Sequence, residues 1–128
     1  MERVNGIGGV FFKAAGDREQ LLGWYRDHLG LEAEQWGGVV FAWMRKDRVE
    51  DGSTTWSIFP PDTAYFGDPE SAYMINYRVD DLDRMLHQLR TAGARVDDRV
   101  EETEFGRFGW AVDPDGNRFE LWQPAPGL

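Results

Sequence analysis

The stretch Asp17 to Gly30, DREQLLGWYRDHLG, opens this chain to reading, because its pattern returns 63 residues later as Asp80 to Gly93, DDLDRMLHQLRTAG. Both stretches begin on an aspartate and end on a glycine. In the first, Asp17 reads as an N-cap, with Gln20 three residues on completing a capping box. Leu21, Leu22, Trp24, Tyr25, His28 and Leu29 follow at helical spacing, and Gly30 supplies a left-handed stop. In the second, Asp80 or Asp81 caps a helix carrying Leu82, Met85, Leu86 and Leu89, which Gly93 ends. The spacing predicts helices near Arg18 to Leu29 and Leu82 to Ala92.

Strand-like runs flank both helices. Gly9 to Ala14 precedes the first, and Leu31 to Trp36, Val39 to Met44 and Thr54 to Phe59 follow it, with glycines 37, 38 and 52 at the turns. Tyr73 to Val79 precedes the second, and strands are expected near Ala94 to Arg99, Phe105 to Val112 and Arg118 to Gln123. The same 63-residue offset lays Trp56-Ser57-Ile58-Phe59-Pro60-Pro61 on Phe119-Glu120-Leu121-Trp122-Gln123-Pro124. The chain is one βαβββ unit written twice, about 7–60 and 72–124, with a turn-rich linker over about 61–71. Neither unit is large enough to bury both faces of a sheet, so the two should share one core. At 128 residues the chain fits a single domain, which folding would bury to roughly two thirds of its unfolded surface.

Composition narrows the function classes. A net charge of −9 argues against nucleic acid and anionic membrane surfaces, which select clustered Lys and Arg, and would suit a cationic small molecule. No apolar run approaches the ~18 residues of a membrane span, and the start lacks a signal-peptide pattern, so the cytoplasm is expected. The chain has no cysteine, hence no disulfide, thiolate nucleophile or thiolate metal site. Six tryptophans suit both core packing and a pocket for flat ligands.

Two segments carry a family resemblance. Trp24-Tyr25-Arg26-Asp27-His28-Leu29-Gly30-Leu31 resembles the first-helix signature of the vicinal-oxygen-chelate proteins, which include glyoxalase I, bleomycin-resistance proteins and extradiol dioxygenases. Asp113-Pro114-Asp115-Gly116-Asn117, followed by Phe119-Glu120-Leu121-Trp122, resembles their closing hairpin. With the duplication, the resemblance covers about Ile7 to Pro124. It implies an α+β fold in which two βαβββ modules form a curved mixed sheet, each module half a barrel, around a central groove. It also implies a homodimer, and a divalent metal held by His, Gln or Glu from the first and last strands of each module.

Those ligand positions fall on poor donors. Glu120 is a usable oxygen ligand, but its repeat equivalent is Ser57, the second module's opening strand offers Met74, and the first module's offers Gly9, Val10 or Phe11 according to register. His28 and His87 belong to the helices. A catalytic metal needs about three protein ligands, so no residue is assigned to a metal and no cofactor is expected.

Alternation puts Met74, Asn76 and Arg78 on the groove face, and Ile75, Tyr77 and Val79 on the helix face. Phe11, Lys13, Trp56, Trp110 and Trp122 are the other candidates for ligand contact, each with a plain packing or solvent-facing alternative. The first expectation is a small-molecule binding protein of the bleomycin-resistance kind, taking an aromatic or cationic compound. The alternatives are a metal-independent lyase or isomerase with Glu120 as acid or base, a metal-dependent glyoxalase or dioxygenase with unrecognised ligands, and a partner-binding module. In an apolar groove, an unpartnered Glu120 would have a raised pKa, and Glu120→Gln would hold or raise stability.

Overall fold

A computed structural model describes residues 1–45 and 48–128. The chain runs β1 (Val4–Lys13), α1 (Arg18–Leu29), β2 (Gly38–Arg45), β3 (Arg48–Phe59), β4 (Tyr73–Val79), α2 (Leu82–Thr91), β5 (Arg95–Val96), β6 (Glu101–Thr103), β7 (Gly106–Val112) and β8 (Arg118–Pro124). The strands form one mixed sheet in the order β2-β3-β1-β4-β8-β7-β5, with β6 pairing off β7. This is the expected α+β architecture with a curved eight-stranded sheet and two helices.

Each helix begins and ends for local reasons. The Asp17 carboxylate accepts from the N–H groups of Glu19 and Gln20, and Gly30 closes α1 at φ 68°. At α2 the cap is Asp81, which accepts from the Arg84 N–H. The repeat shows in the sheet as well. β1 runs parallel to β3 and β4 parallel to β8, and the two halves meet where β1 and β4 pair antiparallel.

Beyond their helices the halves diverge. The strand expected at Leu31 to Trp36 does not form. The Leu31 N–H instead folds back onto the Tyr25 carbonyl, and a turn closes from the Gly37 N–H to the Glu34 carbonyl at 2.9 Å. In the second half the expected strand shrinks to Arg95–Val96, and an additional strand, β6, forms a hairpin with β7.

Apolar clusters occupy both faces. On the outer face α2 lays Leu82, Met85 and Leu86 against Val79 and Leu121. On the inner face Met74, Trp110 and Phe66 pack together, flanked by Phe11, Phe59, Tyr65 and Phe108. Phe66 and Tyr65 come from the turn segment between the halves. The expected linker thus lays two aromatic rings into the sheet's concave side, over what the sequence suggested would be an open groove.

Candidate functional site: the inner face around Glu120

Glu120 lies mid-strand in β8, paired in register with Asn76 of β4 and Trp110 of β7. Alternation turns it inward while Leu121 turns outward. It is 1% exposed. Three donors converge on it. Asn76 Nδ2 donates to Oε1 at 2.7 Å, Trp110 Nε1 donates to Oε2 at 2.9 Å, and the Tyr65 hydroxyl donates to the same Oε2. Burial pushes the carboxyl pKa up, and the three hydrogen bonds with the Arg118 charge pull against that shift. Burial and the neighbouring carboxylate likewise raise Tyr65, so its hydroxyl keeps its proton and remains the donor.

The opening strand approaches this cluster through glycine. A register shift between Ile7 and Gly9 leaves Gly8 bulged against the Asn76 side chain. A Cβ at Gly8 would overlap Asn76 Oδ1 and stand 2.8 Å from the Trp122 ring. Asn76 Oδ1 is buried and accepts no hydrogen bond from the described residues. For β4 this differs from the position expected from the sequence, and for β1 it falls on Gly9, one of the three registers left open. The residue of β4 that meets Glu120 is Asn76, two positions beyond Met74, and the facing position of β1 is the Gly8–Gly9 bulge. Ser57 is buried but turns its hydroxyl to the Gly37 carbonyl at 3.4 Å.

These residues do not fit the divalent metal that the fold family implies. The set facing the centre is one carboxylate, one carboxamide whose NH2 already points at it, and glycine. Among the described residues no group of three His, Cys, Asp or Glu converges anywhere.

A second arrangement lies beside the first. The Arg78 guanidinium sits between two indoles, 4.9 Å from the Trp43 ring centre and 4.8 Å from that of Trp122. Trp43 reaches this place because glycine occupies two neighbouring positions. A Cβ at Gly6 would stand 2.5 Å from the Trp43 ring, and one at Gly52 would overlap it. The Trp43 Nε1 donates to Thr54 at 2.8 Å and Trp122 Nε1 to the Phe105 carbonyl at 2.9 Å, so both rings are held. Arg78 donates to the Ser53 carbonyl at 3.3 Å, and among the described residues it has no carboxylate partner. Desolvation lowers its pKa, although it stays charged.

Of the residues singled out in the sequence, Glu120, Asn76, Arg78, Met74, Trp110, Trp122 and Phe11 share the inner face. Lys13 is tied to the Pro69 carbonyl at 2.5 Å, at the end of the turn segment. Trp56 faces the other way, edge-on to Phe12 and to Tyr25 of α1. That placement corrects its reading as a groove residue. His28 stacks on Trp24 within α1, and His87 is exposed on α2. Sequence reading missed Tyr65, Trp43 and Gly8. The Gly6-x-Gly8-Gly9 cluster was the available signal for the last.

Curved sheet, repeat and Glu120 position together define a vicinal-oxygen-chelate domain. A family model described as a glyoxalase-like domain matches residues 9–122, and the chain belongs to that family. Among solved structures, methylmalonyl-CoA epimerase from Mycobacterium tuberculosis is similar with a TM-score of 0.65 at 22% identity, covering 96% of this chain and 90% of that one. A variant of the Streptomyces coelicolor methylmalonyl-CoA epimerase, in complex with 2-nitronate-propionyl-CoA, gives 0.66 at 19% identity, covering 98% of each. At such identities the likeness shows the fold. A search of curated proteins finds none similar in sequence.

Proposed function

We propose that this protein binds a small aromatic molecule bearing an anionic group, on the inner face of the sheet at the Trp43–Arg78–Trp122 stack. The observation that carries this reading is a desolvated guanidinium held between two fixed indoles with, among the described residues, a backbone carbonyl as its one hydrogen-bond acceptor. Such a group favours a carboxylate or phosphate partner, which fills its remaining donors in a bidentate manner. The acidic net charge had suggested a cationic ligand; the local charge at the stack favours the opposite sign. Calorimetry against paired aryl carboxylates and aryl ammonium ions tests the reading. Preferential binding of the carboxylates, lost in Arg78→Met, supports it, and preference for the ammonium series sinks it.

Acid–base chemistry at Glu120 is the second reading, favoured by its raised pKa. It requires Tyr65 to leave the carboxylate first, since all three neighbouring donors are engaged. Incorporation of solvent deuterium into a bound ligand would support it.

We further propose a cytoplasmic homodimer. No helix among the described residues is long and apolar enough to cross a membrane. Support for the dimer comes from β2, an edge strand that exposes Val40, Phe41 and Met44.

A further inference from the structure

A buried carboxylate needs positive potential around it, and a fold of this family is expected to supply that with a metal ion. Here the potential comes from the protein. We propose that Tyr65, Asn76 and Trp110 have taken a cation's place at Glu120, so that the carboxylate is organised to receive hydrogen bonds and not to ligate a divalent metal.

The geometry carries this in three ways. Both carboxylate oxygens are covered, Oε1 by Asn76 and Oε2 by Trp110 and Tyr65. A bound metal would stand about 2.0–2.6 Å from a carboxylate oxygen, inside the space those hydrogens fill. Next, the Trp110 indole is a donor with no lone pair to turn toward a cation. It cannot swing aside, being fully buried with Tyr65 edge-on at 6.1 Å. Finally, two guanidinium groups lie over the same indole, Arg99 at 4.6 Å and Arg118 at 5.5 Å from its ring centre, paired with Glu101 and Asp97 respectively. Of the two, Arg118 favours an anion at Glu120, and the same charge disfavours a second cation there.

The three donors are not equivalent. Asn76 and Trp110 stand on β4 and β7, inside the sheet. Tyr65 stands on the turn segment, where the backbone bonds of Thr63 and Gly67 close locally onto Pro60 and Ala64. A molecule that engages Oε2 of Glu120 would have to displace Tyr65 and bring an O–H or N–H donor in its place. This holds whatever binds at Arg78.

The test uses the whole protein, stripped with chelator and labelled with 15N. The Trp110 indole N–H, assigned by its loss in Trp110→Phe, should lie downfield and exchange with water at least about tenfold more slowly than that of half-exposed Trp24. Micromolar Zn²⁺, Co²⁺ or Ni²⁺ should leave that signal unmoved and give no one-equivalent binding isotherm. Tyr65→Phe, which keeps the ring and removes one donor, should shift the signal. One equivalent of metal bound at micromolar concentration with the Trp110 signal displaced, or a Trp110 N–H that exchanges as fast as Trp24, would overturn the proposal.

Discussion

Tyr65, carried on the turns between the two halves, hydrogen-bonds through its hydroxyl to Glu120 of β8, 55 residues further along the chain. A segment that composition marks as a linker thus completes the polar centre of the inner face, and several expectations change with it.

Glu120→Gln should destabilise the protein, against the expectation drawn from an apolar groove. Glutamine keeps the shape but turns an NH2 toward donors that need acceptors. Leaving one or more buried donors unmatched costs about 1–3 kcal/mol. Thermal melts at neutral pH should show a lower midpoint; an unchanged or higher one would mean the three donors contribute little.

The size of that loss should depend on pH. Folding raises the Glu120 pKa, so the folded state binds this proton more tightly than the unfolded state. By linkage, the resulting stabilisation is fully present below the unfolded value and is lost as pH rises through the folded one. The wild-type lead over Glu120→Gln should therefore be widest in acid and narrow through that window. A lead that widens as pH rises would reverse the assigned shift.

Gly8→Ala tests the bulge. The added Cβ overlaps Asn76 Oδ1 and crowds the Trp122 ring, so overpacking should cost about 1–3 kcal/mol. Gly16→Ala, where nothing lies within 4 Å, is the control and should melt close to wild type. Equal melting of the two variants would place Gly8 away from Asn76.

Trp56→Ala and Trp122→Ala should separate stability from binding. Trp56 packs on Phe12 and Tyr25, so its loss should lower the melting temperature and leave affinity for an aryl carboxylate unchanged. Truncating half-buried packing of this kind costs on the order of 2 kcal/mol, less than the ~3–5 of a fully buried Trp. Trp122→Ala removes one wall of the Arg78 stack and should weaken the same ligand at least about tenfold, a step of 1.4 kcal/mol.

Light scattering should give twice 14.7 kDa, and Phe41→Lys on the β2 edge should return the monomer. A wild-type chain that scatters as a monomer would end the dimer proposal.

How far the sequence could be read depends on which interactions are local. Asp17, Gly30 and the Asp113 turn, whose side chain accepts from Asp115 and Asn117, act within a few residues and were legible. Alternation along β4 likewise placed Asn76 and Arg78 on the inner face. Which residue of β4 stands opposite Glu120 depends on register between strands 44 residues apart, which no local pattern encodes, while the bulge at Gly8 is signalled only by the glycine cluster around it. The repeat itself sets Trp56 on the helix side. The 63-residue offset sets it on Phe119, which packs against Tyr77 on the helix side. Tyr65 was beyond reach, because side chains in turns follow no period.

The central seam has a kinetic consequence. β1 pairs with β4 across the middle of the sheet, and each half closes on itself only through a parallel pair, β1 with β3 and β4 with β8, whose members are separated by a helix and further strands. The β2–β3 and β7–β8 hairpins can form locally, but none of the pairings that join β1, β3, β4 and β8 into one sheet can form before distant parts of the chain have met. Loop closure must be completed before these contacts return any stability, so the refolding rate should fall in the slow millisecond-to-second range of domains dominated by non-local pairing. The seam itself should be among the last amides to exchange with solvent, since opening it separates both halves at once.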